Sequence, residues 1–417
     1  MSIGLTRLDA GLRVVTEELP GLRSAAVGFW VGTGSRDEVG ELGGASHFLE
    51  HLLFKGTARR NALEIANAVE SVGGDMNAFT TQELTAFYVR VPDERLDLAL
   101  DILSDIVWTP ALDAADVESE RQVIMEEIRM RDDTPDDVVH ELFGASLFPD
   151  HPLGREVLGT RASIEAMSRD TIAGYHDRHY RPANVVVAAA GNIRHGDVVD
   201  RVEAGLAAVG DRPDRQHGPE SAPRPLAVLP RPTEQAHLVL GMRGLARADR
   251  DRYALGVLNQ ALGGGMASRL FQEIRERRGL AYSVYSYRTS FVDTGAFAVY
   301  LGTAPARVDE ALGVVNAELR RLVDDGGIGA DELEAAKGHL KGSISLSLES
   351  SASRMHRIGS SELTLGEVPT LDEVVDRVDA VGADDLARVI ERVLGRSERT
   401  LAVVGPFEES DFRERVA

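Results

Sequence analysis

Residues 43–54 read GGASHFLEHLLF and place two histidines and a glutamate within an otherwise apolar segment. His47 and His51 are four residues apart, so on a helix both imidazoles lie on one face and can reach a single ion. Glu50 lies beside that face. Two histidines with a neighbouring glutamate suit metal-assisted hydrolysis, because zinc lowers the pKa of bound water and a carboxylate takes up the released proton. A single match to so short a pattern also arises by chance. In that alternative, the three polar residues lie at the partly exposed end of an ordinary amphipathic helix.

A metal site of this kind needs a third ligand, and one downstream segment offers carboxylates for it. Residues 113–133 read DAADVESERQVIMEEIRMRDD, and their periodicity predicts a helix. Glu120 and Glu127 are seven residues apart, which places them on one face of that helix together with apolar neighbours. The alternative is a solvated acidic face, which is what most acidic helices present to water.

These two segments resemble a known family. HFLEHLLFKGT and ESERQVIMEEI are similar to the inverted zinc motif and the downstream glutamate of the pitrilysin superfamily, which includes insulin-degrading enzyme and mitochondrial processing peptidase. The resemblance implies that His47, His51 and Glu127 bind Zn²⁺ and that Glu50 is the general base. The separation of 76 residues between His51 and Glu127 is typical of the family.

The resemblance also separates the glutamates of the second segment. It favours Glu127 over Glu126 as the ligand, in agreement with the face that Glu127 shares with Glu120. It implies that Glu120 is a supporting acid of the catalytic site, which orients a ligand or tunes its basicity.

A predicted pair of strands follows the first helical region. Residues 73–91 read GGDMNAFTTQELTAFYVRV, and this segment is either ordinary sheet or an exposed edge to which an extended peptide adds as a further strand. The family uses the matching stretch in the second way. The resemblance therefore implies that Asn77, Ala78 and Phe79 bind the substrate, with Asn77 and Ala78 contacting its backbone.

A second candidate segment, LGGGMASRLFQEIRERRGLAYSVYS, lies at 262–286. Its three glycines are not followed by Lys-Ser or Lys-Thr and do not form G-x-G-x-x-G, so a phosphate-binding loop is not indicated. Arg275 and Tyr282 would be ordinary surface residues by type alone. The resemblance implies that this pair holds the substrate carbonyl and stabilises the oxyanion of the tetrahedral intermediate.

The segment YHDRHYRPAN carries a further histidine pair, His176 and His179. These residues are three apart near the end of a predicted helix, with only Asp177 as a neighbouring carboxylate. We favour packing and capping roles over a second metal site.

The pattern of elements that must position these residues predicts two α+β halves. The resemblance implies an α+β fold with two homologous α/β-sandwich domains, each a mostly antiparallel sheet packed with helices. In the first half, LEIANAVESVG is predicted as a helix and ANVVVAAA as a buried strand, with further helices at 93–107, 113–132, 135–147 and 196–209. A similar order of elements returns after a proline-rich segment. The predicted organisation is a zinc-binding catalytic domain at 1–212, a linker at 213–232 and a domain carrying Arg275 and Tyr282 at 233–417.

Composition limits the class of protein and its partners. The net charge is −21 and opposes binding to phosphate backbones, so no nucleic-acid partner is expected. With no cysteine in 417 residues, a metal site must use histidine, carboxylate and water. No apolar run is long enough to cross a bilayer and the first residues do not resemble a secretory signal, so we expect a cytoplasmic protein without a membrane partner.

Together, these features predict a zinc metalloendopeptidase that cleaves unfolded peptides or short polypeptides. The resemblance implies a homodimer that closes around a chamber, with the zinc ligands of one chain facing Arg275 and Tyr282 of the other. Two alternatives stay open at this point. One is a processing peptidase for a specific precursor, and the other is a non-catalytic scaffold subunit, although scaffold relatives usually lose ligands that are present here.

Overall fold

The computed structural model describes residues 3–206, 210–215, 218 and 221–412. These residues fall into two compact units. The first comprises Met1–Arg129, Arg155–His217 and Ser347–Val368, and the second comprises Met130–Gly154, Gly218–Leu346 and Pro369–Ala417. The chain therefore passes between the units more than once, because each unit includes a segment from the other half of the sequence.

The first unit is built on a six-stranded sheet with the order β1-β2-β6-β3-β5-β4. Only the β2–β6 pair is parallel, and the other neighbouring pairs are antiparallel. Its strands are β1 (Ile3–Arg7), β2 (Arg13–Glu18), β3 (Ser24–Val31), β4 (Asp75–Thr80), β5 (Thr85–Pro92) and β6 (Val185–Gly191). Strand β4 is an edge strand, and its last residue, Thr80, contacts Glu50.

The second unit has a five-stranded sheet with the order β7-β11-β8-β10-β9. Here β7 and β11 are parallel, and the remaining neighbours are antiparallel. Its strands are β7 (Leu226–Pro230), β8 (Ala236–Gly244), β9 (Ala281–Ser290), β10 (Gly295–Thr303) and β11 (Arg399–Gly405). Its order matches β2-β6-β3-β5-β4 of the first sheet strand for strand, as expected for two homologous halves.

Helices cover both sheets. In the first unit they are α1 (Ala45–Leu53), α2 (Ala62–Glu70), α3 (Leu96–Trp108), α4 (Ala114–Asp132, whose last residues belong to the second unit), α6 (Arg161–Ala166), α7 (Arg169–His179), α8 (His195–Ala204) and α12 (Ser351–Leu365). In the second unit they are α5 (Pro135–Leu147), α9 (Arg252–Gly263), α10 (Val308–Asp325), α11 (Ala330–Ser347), α13 (Leu371–Asp379) and α14 (Ala383–Ile390). A π-helical segment, Phe271–Glu276, precedes β9.

Each sheet buries both of its faces. In the first unit Val27 and Phe29 of β3 face the core formed with α1 and α3, while Ala26 and Trp30 face a second core that contains Met355 and Ile358 of α12. This alternation is the two-residue period of a strand. In the second unit α5 plays the part of α12, since its Val139, Phe143 and Leu147 pack on strands β8, β10 and β11. Helix α12, from the second half of the sequence, thus packs on the first sheet, and α5, from the first half, packs on the second sheet.

The structure confirms the α+β class and the two mostly antiparallel sheets packed with helices. The predicted helix 135–147 has the same bounds as α5. The predicted helix 196–209 corresponds to α8, which ends at Ala204, and residues 207–209 lie outside the described part of the chain. The predicted linker 213–232 includes strand β7, and its residues 216, 217, 219 and 220 are not described. Within the described residues, no helix is long and apolar enough to cross a membrane.

Candidate metal centre

Helix α1 presents its chemical residues on the side opposite its apolar face. Phe48, Leu49 and Leu52 are buried in the core of the first unit. His47, Glu50 and His51 therefore point the other way and are only partly buried. The helix begins after Gly44, which adopts a left-handed φ of 90° and whose added Cβ would lie 2.6 Å from the Leu158 carbonyl oxygen. Glycine is needed there for both reasons.

The start of α1 is held by a carboxylate from outside the helix. Both oxygens of Glu38 accept backbone N–H groups, one from Gly44 at 2.8 Å and one from Ser46 at 2.9 Å. These are two of the donors that a helix N-terminus leaves without partners. Glu38 is 1% exposed, and burial raises its pKa to about 8. No local sequence pattern links this residue to a helix that begins seven residues later.

Three potential ligand atoms converge between α1 and α4. The Nε2 atom of His47 lies 3.6 Å from one carboxylate oxygen of Glu127, and the Nε2 atom of His51 lies 3.6 Å from the other. When one ligand atom is taken from each of the three residues, these atoms lie within 4.8 Å of one another. The structure therefore brings together the residues predicted as metal ligands.

This donor set fits zinc. Zinc binds imidazole nitrogen at about 2.0–2.1 Å, and tetrahedral angles at that bond length separate ligand atoms by about 3.3 Å. The two 3.6 Å distances involve different oxygens of Glu127, and with one ligand atom from each residue the three atoms lie within 4.8 Å, so a tetrahedral set requires them to approach by at most about 1.5 Å. Burial, with a smaller contribution from His51, lowers the pKa of His47 to about 4, so its imidazole is neutral at physiological pH, as a ligand must be.

Glu120 contacts a ligand and not the open side of the site. Its Oε2 atom lies 3.1 Å from Nδ1 of His51, and its Oε1 atom lies 2.6 Å from Nζ of Lys55. A carboxylate on Nδ1 fixes the tautomer that leaves Nε2 free to bind a metal. Glu120 thus contacts His51 and is not one of the three convergent residues.

Glu50 lies next to the ligands but is not one of the three convergent groups. Its Oε2 atom accepts a hydrogen bond of 2.6 Å from the Thr80 hydroxyl at the end of β4. Burial raises the pKa of Glu50, and the hydrogen bond from Thr80 partly offsets the effect. A raised pKa improves a carboxylate as a proton acceptor near neutral pH. Thr80 is a second contact that the sequence did not reveal.

Arg121 holds helix α4 in place, and no motif in the sequence marks this residue. Arg121 donates to the backbone carbonyls of Ile164 and Met167, the latter at 2.9 Å, and its guanidinium lies 5.6 Å from the centre of the Phe48 ring. It thereby links α4 to α1 and to the region of α6. Glu126, the alternative ligand, is exposed and pairs with Arg129.

The residues predicted to bind substrate lie on β4. Among the residues that the structure describes, β4 is an edge strand, and one side of its backbone pairs with no other strand. Asn77 is exposed, Ala78 is buried, and the Phe79 ring packs against Trp30 and His356. The Ala78 N–H donates to the side-chain oxygen of Asn77 at 2.8 Å, so a peptide that uses this N–H must displace the Asn77 side chain.

Arg275 and Tyr282 belong to the second unit. Arg275 lies in the π-helical segment and Tyr282 near the start of β9. The guanidinium of Arg275 lies 4.5 Å from the centre of the Tyr282 ring and donates to the Tyr282 carbonyl at 3.2 Å. Tyr282 is 78% exposed, so its hydroxyl is open to a ligand. The two residues are thus in contact with each other, and the role that the resemblance implies for them stays a prediction.

The second histidine pair has structural partners. Nε2 of His176 lies 2.9 Å from the carbonyl oxygen of Val107, and Nδ1 of His179 lies 3.3 Å from the Thr33 hydroxyl. Both histidines are buried. The His176 ring stacks on Tyr180, and the His179 ring lies tilted against Tyr175. These contacts agree with the packing role favoured from the sequence.

Two models of peptidase family M16 match this chain. The family model described as insulinase (peptidase family M16) matches residues 13–161. The model described as the peptidase M16 inactive domain matches residues 166–340. An uncharacterized zinc protease of Streptomyces coelicolor is 47% identical over 97% of this chain and 90% of its own length. An uncharacterized zinc protease of Bacillus subtilis is 41% identical over 95% of this chain and 96% of its own length.

Solved structures show the same architecture. A protease from Helicobacter pylori superposes with a TM-score of 0.88 at 25% identity, covering 97% of this chain and 99% of that chain. A structure described as a peptidase M16 inactive domain from Pseudomonas fluorescens gives a TM-score of 0.91 at 21% identity, with 98% of each chain covered. At that identity the second likeness concerns the fold alone.

Proposed function

This chain belongs to the insulinase family of peptidases, family M16, and on that premise we propose that it is a zinc-dependent endopeptidase. The convergence of His47, His51 and Glu127, with Glu50 beside them, is the observation that carries the proposal. When bound by these three residues, zinc would polarise the scissile carbonyl and lower the pKa of a water molecule.

We assign the proton transfers to Glu50. Its carboxylate accepts a proton from the attacking water and later donates it to the leaving amine. Two features support this role. Burial raises the pKa of Glu50, and the Thr80 hydroxyl holds one carboxylate oxygen, which leaves the other free. Glu120 keeps Nε2 of His51 directed at the ligand position through the contact at Nδ1.

The substrate is proposed to be an extended peptide that adds to the free edge of β4. Backbone hydrogen bonds to a strand edge need little sequence specificity, which suits unfolded peptides or short polypeptides. The contact between Thr80 and Glu50 connects the end of β4 to the proposed base, so a peptide paired with this edge passes beside Glu50. Asn77 and Ala78 would contact its backbone, with Phe79 beside them.

We further propose that the protein works as a homodimer that encloses its substrate in a chamber. Arg275 and Tyr282 of one copy would stabilise the oxyanion formed at the metal centre of the other. The family resemblance supports this arrangement, and the exposed Tyr282 hydroxyl is compatible with it. A cytoplasmic location and the absence of nucleic-acid and membrane partners are expectations from the sequence.

The proposal is tested by measuring zinc content and hydrolysis of a quenched fluorescent peptide library for wild type, Glu127→Gln and Glu126→Gln. Glu127→Gln removes a ligand, so zinc retention and hydrolysis should fall by more than the roughly 10–100-fold typical of outer-shell partners. Glu126→Gln changes an exposed neighbour on the same helix and should leave both unchanged. Zinc-free wild-type protein without hydrolysis would instead favour a scaffold subunit. Cleavage confined to one sequence would favour a dedicated processing peptidase.

A further inference from the structure

The two histidines of the candidate metal centre are supported unequally at their Nδ1 atoms. Nδ1 of His51 lies 3.1 Å from Oε2 of Glu120. Nδ1 of His47 is buried, and within the described residues it has no hydrogen-bond partner. A metal-binding imidazole is normally oriented by a hydrogen bond at its second nitrogen. Among these residues, the orientation of the two imidazoles by such a bond therefore depends on Glu120.

Glu120 can orient His51 only if its own carboxylate keeps one orientation. The residue is 4% exposed, so its carboxylate is largely removed from water and requires polar partners inside the protein. Its Oε2 atom faces His51, and its Oε1 atom lies 2.6 Å from Nζ of Lys55. A carboxylate held at both oxygens keeps its plane fixed, whereas one held only at Oε2 can rotate about that contact. The ammonium of Lys55 therefore holds Oε2 against Nδ1.

The end of helix α1 places Lys55 for this contact. The helix ends at Leu53, and the backbone N–H of Lys55 donates to the carbonyl of Leu52 at 3.0 Å. Lys55 follows His51 by four residues, about one helical turn. Its side chain is 36% exposed, so it reaches the buried Glu120 carboxylate from the surface of the first unit. One end of α1 thus supplies both groups that contact Glu120 of α4.

The charge of Lys55 alone would have the opposite effect on metal binding. The site contains the carboxylates of Glu50, Glu120 and Glu127, and within the described residues Lys55 is the only lysine or arginine that forms an ion pair with one of them. A positive charge near a cation site repels the cation, so its removal would tighten zinc binding if the electric field were the whole effect. Loss of a positioning contact would instead weaken zinc binding. The sign of the change distinguishes the two roles.

We propose that Lys55 is a positioning residue of the metal centre, which fixes the carboxylate of Glu120 and, through it, the imidazole of His51. Contacts run from Nζ of Lys55 to Glu120, then to Nδ1 of His51, while Nε2 of the same ring faces Glu127. This inference rests on the zinc site of the proposed function. Its consequence is a higher zinc affinity than Glu120 would give without a partner at Oε1.

The test measures the zinc dissociation constant by competition with a chelator of known affinity. Loss of a group that orients a ligand typically costs roughly 10–100-fold in metal affinity, and Lys55 acts one contact further out, so Lys55→Met should weaken zinc binding about fivefold. Lys55→Arg keeps a cation within reach of Glu120 and should retain most of the affinity. The charge-matched control is Lys341→Met, which removes a positive charge paired with Asp379 in the second unit and should leave the affinity unchanged.

A double-mutant cycle determines whether Lys55 acts through Glu120. In the Glu120→Gln background, Lys55→Met should change zinc affinity by less than about twofold, because the contact that Lys55 supports is already lost. Unchanged or tighter zinc binding by Lys55→Met alone, or an equal loss of affinity in both backgrounds, would overturn the role of Lys55 and leave the zinc site intact. Wild-type protein that binds no zinc would overturn both this inference and the proposed function.

Discussion

The two units share a strand order but differ in the helix that follows their first long antiparallel strand. In the first unit β3 is followed by α1, which carries His47, Glu50 and His51. In the second unit β8 is followed by α9, with the sequence RYALGVLNQALG and no histidine or carboxylate. Within the part of the chain that the structure describes, only one group of three histidine or carboxylate side chains converges on a common point. This group is His47, His51 and Glu127, in the first unit. The same arrangement of sheet and helices therefore occurs with and without a candidate metal site, and a few side chains determine which chemistry it supports.

The second unit carries a different kind of group at a related place. Strand β9 is the edge of its sheet, as β4 is in the first unit. At β9 the exposed feature is the Arg275–Tyr282 pair, which offers hydrogen-bond donors and a positive charge. In the proposed function, the first unit would bind the metal and the Arg275–Tyr282 pair of the second would stabilise negative charge.

The largest expected contrast between the units comes from removing a histidine in each. His51→Asn should abolish zinc retention and peptide hydrolysis, because it deletes a proposed ligand and its contact with Glu120. His237→Asn, in β8 of the second unit, removes a contact to the Tyr300 hydroxyl and should preserve both. Metal analysis and a hydrolysis assay on the two variants check this. Zinc retained in His51→Asn would argue against the site.

Tyr282→Phe should separate catalysis from metal binding. The variant keeps the ring beside Arg275 but loses the hydroxyl, so kcat should fall by about 10²–10³ while zinc content stays at the wild-type level. Tyr285→Phe on the same strand is the matched control and should have a small effect. Equal rates for Tyr282→Phe and wild type would remove Tyr282 from the proposed oxyanion site.

Glu120→Gln should weaken zinc binding without removing a ligand. The amide cannot replace the charge that faces Nδ1 of His51, and loss of such a partner typically costs 10–100-fold in metal affinity. Competition with a chelator of known affinity measures the effect, with Glu126→Gln as the control on the same helix. Unchanged affinity would mean that Glu120 does not position His51.

The smallest effect is expected at Glu38 and concerns the pH dependence of stability. Because burial raises its pKa to about 8, the folded state binds a proton more tightly than the unfolded state, where the carboxyl titrates near 4.5. Stability from this group is therefore fully present below about pH 4.5 and is lost as the pH rises toward 8. Glu38→Gln cannot titrate, so the melting temperature of wild type should fall more steeply than that of the variant between pH 5 and 8. Parallel curves would contradict this role.

Much of the site and fold could be predicted because the relevant signals are local. The spacing of His47 and His51 on one helical face, and of Glu120 and Glu127 on another, follows from helical periodicity. Helix α5 was predicted with its observed bounds because Pro135 and the apolar spacing define it. The similar order of elements in the two halves indicated two related sheets.

What the sequence could not predict depends on contacts between distant segments. Strand β7 lies in a proline-rich segment, and only its parallel pairing with β11 makes it a strand. The exchange of α5 and α12 depends on which sheet each helix covers, and amphipathic spacing alone does not specify the partner. The Glu38 cap and the contact between Thr80 and Glu50 likewise join residues that no short motif connects.

We propose that the first unit holds zinc and that Glu50 transfers the protons beside it. The most direct test measures zinc content and kcat for peptide hydrolysis in wild type and Glu50→Gln purified side by side. We predict equal zinc content in the two proteins and a fall in kcat of about 10²–10⁴ in the variant. Hydrolysis by Glu50→Gln at the wild-type rate, with zinc bound, would contradict the account.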